Sequence, residues 1–230
     1  MMNPLFDPDS SAPFDSEDSA AQIDAVKRLV GPTRVCDLGC GQGRVAVPLA
    51  MHGAEVVALD RSADALHVCQ QASASMQTVR GDFTDPPKEL GQFDWLLCLG
   101  NTFALIHDVD KAVAVLARWK QMLRTGGAVV LDDLPGMLWP NVAVGDWCDG
   151  VDAQERQQLV WQTRDSVLTI RTGAQVDPDC WTVGADELLI RVWTDAAIHL
   201  VAQLAGFRAP EVDAAGGILV LRPVPTTLAD

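Results

Sequence analysis

The sequence predicts an α/β domain: a mostly parallel sheet with helices on both faces, carrying an inserted antiparallel flap. Three observations predict it. From Arg34 to Leu134, short apolar runs that each close on Asp, Gly or both alternate with helix-length segments. Between about 137 and 192 this rhythm breaks, and strand-like alternating runs separated by Arg164-Asp165 replace it. It then resumes with TDAAIHLVAQLAGF, a helix capped by Thr194 and stopped by Gly206, and with GGILVLRPV, a last strand.

In chain order, residues 1–18 are rich in Asp, Ser and Pro and are expected to be a flexible segment, with Phe6 and Phe14 available for docking. Ser19 and Gln22 have the spacing of a capping box. Ile23, Val26 and Val30 then recur at helical spacing, and Gly31-Pro32 ends that helix. RVCDLG, EVVALD, MQTVRGD, FDWLLCLG and GAVVLDDL read as five strands. VAVPLAMHG, SADALHVCQQA and DVDKAVAVLARWKQMLRTGG read as helices between them, while the Pro-rich FTDPPKELGQ predicts little or none. Parallel neighbours need such crossovers, so the strands form one sheet. QQLVWQT, SVLTIRT and ELLIRVW make the flap, and five of the seven tryptophans fall in or beside it, where they are expected to anchor it. Residues 19–230 therefore form a single domain with the flap at about 137–192.

Composition narrows the function. The 230 residues carry a formal net charge of −14, a poor surface for nucleic acid, whose binding rests on Lys and Arg neutralising phosphates. No apolar run approaches the roughly 20 residues of a membrane span, and the first residues lack a signal peptide's basic start and apolar core. A cytoplasmic protein with no membrane partner is expected. The six cysteines include no CxxC pair, so neither a disulfide framework nor a zinc site is expected.

VCDLGCGQGR, residues 35–44, is a strand running into a turn with Gly39, Gly41 and Gly43. Absent side chains let a ligand approach the backbone there, and helix amides point at it. Residues 41–46 fit the dinucleotide pattern GxGxxA, and Asp60 ends the next strand where a ribose is read, which taken alone supports NAD. Asp37 argues against a pyrophosphate, because it sets a carboxylate just ahead of the turn. Asp82, at the end of the third strand, adds another acid on the same edge. Carboxylates along three strand ends suit a ligand with an amino group, ribose hydroxyls and an exocyclic amine.

VCDLGCGQGR, VVALD, VRGDF and FDWLLCLGNTFALI together resemble the successive motifs of class I S-adenosylmethionine-dependent methyltransferases. The resemblance covers about Arg34 to Leu134. It implies a Rossmann-like seven-stranded sheet of order 3-2-1-4-5-7-6 with strand 7 antiparallel, and S-adenosyl-L-methionine as cofactor. It implies cofactor contacts at Asp37, Leu38, Gly39, Cys40, Gly41, Gly43 and Arg44 in the turn. It adds Asp60 and Arg61 at the ribose, Asp82 and Phe83 at the adenine, and Leu99 and Gly100 near the sulfonium. An NAD-dependent oxidoreductase and a non-catalytic binding module remain the alternatives.

Methyl transfer needs a lone pair aligned with an already activated carbon, so the acceptor's nucleophile decides what else is required. LGNTFALIHD is similar to the CLGNSFAHL segment of glycine and sarcosine N-methyltransferases, which implies that Asn101 contacts a small-molecule substrate. That family's arginine for an amino-acid carboxylate is replaced by LDDLPG after the fifth strand, so glycine is not the expected acceptor. Asp132 or Asp133 there suits an amine, with Asp133 taken as the substrate contact, and amine N-methylation is expected ahead of O-methylation. His107 is the candidate general base. Asp132 and Asp133 lack a third ligand at a recognisable spacing, so no metal is expected.

Overall fold

The computed structural model describes residues 16–73, 75–133, 135–136, 147–148, 150–152, 157–162 and 164–225. Phe6, Phe14 and Trp139 lie outside these, as does most of the 1–18 segment, and of Trp147 only the backbone is described. The chain opens with helix α1 (Ser16–Val30) and alternates through β1 (Arg34–Leu38), α2 (Ala46–Met51), β2 (Glu55–Asp60), α3 (Ala63–Ala72) and β3 (Gln77–Arg80). A short 3₁₀ turn at Lys88–Leu90 leads to β4 (Phe93–Cys98), a second at Thr102–Leu105 to α4 (Val109–Gln121), and β5 (Leu123–Asp132) follows. Ser62 and Asp108 cap α3 and α4 by accepting from Ala65 N and Lys111 N.

Five further strands, β6 (Trp147–Cys148), β7 (Val151–Asp152), β8 (Gln157–Trp161), β9 (Val167–Thr172) and β10 (Ile190–Arg191), form a separate antiparallel sheet. Helix α5 (Asp195–Leu204), capped by Thr194, returns the chain to the main sheet as β11 (Glu211–Asp213) and β12 (Ile218–Leu221). Among the described residues the main sheet runs β3-β2-β1-β4-β5-β12-β11, with β12 antiparallel to both neighbours. This is the expected 3-2-1-4-5-7-6 order.

Both faces of that sheet are covered, and the strands show it. In β1, Val35 faces the layer of α1, α2 and α3, while Cys36 and Leu38 face α4 and α5. In β5, Val130 takes the first side and Val129 and Leu131 the second. Apolar residues are therefore needed at consecutive positions, which is why these strands read as unbroken runs.

Three elements depart from expectation. Helix α1 begins at Ser16, so Ser19 and Gln22 lie within it and do not cap it. Arg124 to Gly127, read as the end of a helix, belongs to β5: Phe93 N donates to Met122 O at 2.8 Å, and the β4–β5 register shifts between Phe93 and Trp95. Gly126, at φ +85°, accommodates that irregularity. Among the described residues the flap is docked mainly by aliphatics rather than tryptophans. Leu159, Leu168, Ile190 and Val192 pack on Ala104, whereas Trp161 and Trp181 are 38% and 43% exposed. Trp193 alone of the described tryptophan side chains in this region is buried, in the main core.

Trp119 of α4 is fully buried, packs on Phe103, and donates from Nε1 to Phe83 O at 2.9 Å, tying the core to the end of β3. Trp119→Ala should destabilise the fold by about 3–5 kcal/mol in urea unfolding. Trp119→Phe, which loses the hydrogen bond but keeps most of the ring, should cost clearly less.

Candidate functional site

The glycine turn after β1 is held from below by β2. Gly39 N and Cys40 N both donate to Leu59 O, at 2.8 and 3.0 Å, and Gly41 N donates to Asp60 Oδ2 at 2.9 Å. Asp60 Oδ1 accepts from Ser62 N at 2.8 Å, so one carboxylate joins the turn to the start of α3. Gly39, Gly41 and Gly43 take φ of +83°, +53° and +93°, a region side chains disfavour. Space is a separate constraint. A Cβ on Gly43 would lie 2.7 Å from Cys69 Sγ, and one on Gly39 would lie 2.6 Å from Thr102 Cγ2. The Cys40 side chain turns into the core beneath, leaving its backbone at the turn.

A cleft of about 350 Å³ opens over this edge between Gly39, Asp60, Arg61, Asp82, Phe83 and the 3₁₀ turn beyond β4, with Lys111 at its rim. Asp82 Oδ1 accepts from both Thr84 N and Thr84 Oγ1 at 2.8 Å. Partial burial raises the Asp82 carboxyl, but these bonds, with Lys111 and Arg61, outweigh it and hold the group below its ordinary value. The Asp82 carboxylate is thus kept charged at the cleft, which Asp60 also lines.

Behind the cleft lies a charge network. Arg44 donates to Ser19 Oγ at 3.2 Å and to Gln22 Oε1 at 2.6 Å, both on the inner face of α1. Its charge is felt by Asp37 on β1 and Asp132 on β5. Asp132 accepts from Gln22 Nε2 at 3.1 Å, Gly100 N at 3.1 Å and Asn101 N at 2.7 Å. Desolvation pushes Asp37 from 3.8 to about 7, against the pull of Arg44. The same cause raises Asp132, against the bonds it accepts, and lowers Arg44.

Asp132 also shapes the turn after β4. With two consecutive backbone amides bound to one carboxylate, Asn101 is held at φ +59°, and its side chain is 2% exposed. Leu99 is buried beside it, and Leu99 O accepts from Thr102 Oγ1. Asp133 N donates to Gly217 O, and Asp133 Oδ1 accepts from Gly136 N at 3.0 Å.

The structure thus brings Asp37 to Arg44, Asp60, Arg61, Asp82, Phe83 and the turn Leu99–Asn101 to one sheet edge. His107 stands apart. Its Nε2 lies 2.7 Å from Leu189 O, and it lines a separate shallow hollow with Asp165 and Arg191. Sequence reasoning passed over Thr102, Lys111 and the Arg44 partners on α1. The signal for the last was present: polar Ser19 and Gln22 share the helix face of Ile23 and Val26. Among the described residues, no group of three or more His, Cys, Asp or Glu side chains is placed to hold a metal.

Two predictions follow from this geometry. Gly43→Ala, which must displace Cys69 and Val47, should damage ligand binding and stability far more than Gly41→Ala, where the added Cβ meets nothing and only the positive φ costs about 1–2 kcal/mol. Calorimetry and thermal melts of both variants check this. Asp37 binds its proton more tightly folded than unfolded, so its contribution to stability is full below pH 3.8 and lost as pH rises through about 7. Asp37→Asn imitates the neutral acid, and its melting temperature should gain on wild type as pH increases across that window.

Comparison with known proteins places this arrangement. Residues 35–127 match a family described as a methyltransferase domain. The Cypemycin N-terminal methyltransferase of a Streptomyces species is 31% identical over 208 residues, which span 84% of this chain and 79% of that protein. The PH0226 protein of Pyrococcus horikoshii OT3 shares the fold with a TM-score of 0.68, at 18% identity and 97% coverage of both chains. The CcbJ methyltransferase of Streptomyces caelestis does so with a TM-score of 0.65 at 18% identity, over 92% of this chain and 98% of that one. Sheet order, glycine turn and a similarity extending over most of a methyltransferase's length agree: the chain belongs to the class I S-adenosylmethionine-dependent methyltransferases.

Proposed function

We propose that this enzyme N-methylates an amine on a small molecule. The residues present suit the cofactor: a glycine turn whose backbone can be approached closely, and two carboxylates spaced along a cleft of about 350 Å³. The backbone from Leu38 to Gly41 faces the methionine part. Asp60 has lone pairs left for both ribose hydroxyls after accepting from Gly41 and Ser62. Asp82 receives the adenine amine, Phe83 walls the ring, and Arg61 flanks the ribose. Arg44 acts from behind, compensating Asp37 and Asp132. S-adenosylmethionine supplies a methyl group activated by its sulfonium, beside Leu99 and Gly100.

The observation that carries the acceptor assignment is the Asn101 amide, enclosed at the end of β4 with neither Oδ1 nor Nδ2 bonded among the described residues. Its oxygen can take an N–H from an uncharged amine and so orient the lone pair, while Asp133 biases the edge toward nitrogen bases. The relative named as an N-terminal methyltransferase supports nitrogen over oxygen as the nucleophile. His107 is assigned to holding the flap, because its ring is engaged with a flap carbonyl. The amine therefore arrives as free base, its proton lost to solvent.

Titration calorimetry should show binding of S-adenosylhomocysteine and none of NAD, and Asp60→Ala should weaken the former by at least about tenfold, the equivalent of one lost charge-assisted bond. A panel of primary amines and phenols, assayed for methyl transfer, should be used only on the amine side, with kcat/KM rising with pH until the acceptor's own pKa is passed. Turnover confined to phenols would overturn the assignment.

A further inference from the structure

Beside the acceptor end of the site lies a second, much smaller space. It has a volume of about 20 Å³ and is bounded by Asn101, Phe103, Leu131, Asp132 and Trp193. One water-sized group needs about 10–15 Å³ on this measure, so the space fits a single heavy atom with its hydrogens. Two of the residues that line it carry orphaned polar atoms: Asn101 Oδ1, Asn101 Nδ2 and Trp193 Nε1 are buried and without a hydrogen-bond partner among the described residues. Asn101 is 2% exposed and Trp193 5%, so bulk water does not satisfy them. Orphaned buried donors and acceptors cost stability, and three around one hollow is more than a native interior ordinarily leaves.

The Asn101 backbone and the Trp193 ring are both restrained. Asn101 is held at φ +59° by Asp132, and the Trp193 ring is wedged between Phe103, with centroids 5.5 Å apart, and the Arg191 guanidinium at 5.2 Å. Together these atoms offer three N–H donors and one carbonyl acceptor, while the Asp132 carboxylate that also borders the hollow already accepts from Gln22 Nε2, Gly100 N and Asn101 N. A hydroxyl complements that set, with one O–H to give and two lone pairs to receive. An ammonium would bring donors alone, a carboxylate acceptors alone, and a methyl group neither.

We propose that this hollow is a subsite for one hydroxyl group, supplied by a water or by a hydroxyl that the methyl acceptor carries near its reacting nitrogen. The second source rests on the reading of Asn101 as the acceptor's contact, and makes the preferred substrate a vicinal amino alcohol. Trp193, which no motif marks, is then a specificity-determining residue.

The test uses the full chain with ¹⁵N-labelled tryptophan, saturated with S-adenosylhomocysteine, and Trp193→Phe to assign the indole signal. Magnetisation should pass between the Trp193 Nε1 proton and a bound water. 1-Amino-2-propanol should replace that contact with one to its own hydroxyl, while propylamine should leave it intact. In turnover with S-adenosylmethionine, wild type should favour 1-amino-2-propanol over propylamine by at least tenfold in kcat/KM, and Trp193→Phe should reduce the preference to within threefold. Equal rates with a persistent water contact assign the subsite to water and support it in that form. An indole proton in contact with neither water nor hydroxyl in any state overturns the proposal. If neither amine is methylated, the N-methylation reading is what fails, and the indole contact still decides the subsite.

Discussion

The site depends on one guanidinium placed between two carboxylates. Asp37 and Asp132 come from strands that flank β4 and converge behind the cleft, where desolvation opposes ionisation of either. Arg44 sits in their shared field and donates hydrogen bonds to Ser19 and Gln22. Breaking such a set by removing one member typically costs about 3–5 kcal/mol, far more than the net worth of the pairing, because the remainder is stranded. The arrangement is therefore better understood as a registry device than as a source of stability: it is tolerated only when α1, the glycine turn and β5 are all in place.

That constraint reaches both halves of the chemistry. On the cofactor side, Arg44 lies one residue beyond Gly43, so the helix start that it anchors is the one the glycine turn feeds. On the side proposed for the acceptor, Asp132 binds the amides of Gly100 and Asn101 and so braces a non-glycine residue in a left-handed conformation. Gly39 and Thr102 then meet in a contact with no room for a Cβ. The two turns are thus set against each other at a fixed separation, which is what alignment of a methyl group with a lone pair demands.

Much of this was legible in the sequence, for identifiable reasons. Strands buried on both faces must be apolar throughout, so their runs announce themselves, and glycines at alternate positions after the first run leave few readings. The place of Asp60 and Asp82 on the cleft edge was legible because each follows or ends an apolar strand run of an open α/β sheet. Ser19 and Gln22 were misread because a capping box and an inward polar pair share the same spacing, and only the tertiary partner, Arg44, distinguishes them. The start of β5 was hidden because a register shift lets Arg124 to Gly127 join a strand without any alternation of their own. The flap tryptophans misled for a different reason: large side chains suggest anchorage, yet the sheet docks through Leu159, Leu168, Ile190 and Val192, and Trp161 and Trp181 stay exposed.

The way the flap docks bears on how such a scaffold changes substrate. Its β9 and β10 rest on the 3₁₀ turn that follows Asn101, through Ala104 and through the paired links His107 to Leu189 O and Arg191 Nε to His107 O. Arg191 is held in turn by Asp165 and Ser166, so the tip between β8 and β9 is joined to the same turn. The glycine turn is instead fixed within the main sheet, by Leu59 O and Asp60 and by the lack of space for a Cβ at Gly39 and Gly43. Substitutions in the flap can therefore move Trp193 and the wall beyond Asn101 while leaving the Asp60 clasp and the glycine turn untouched. On the proposed reading of Asn101 and Asp60, acceptor choice is in this way separated from methyl-donor binding, because the described part of the inserted sheet rests on the turn after β4.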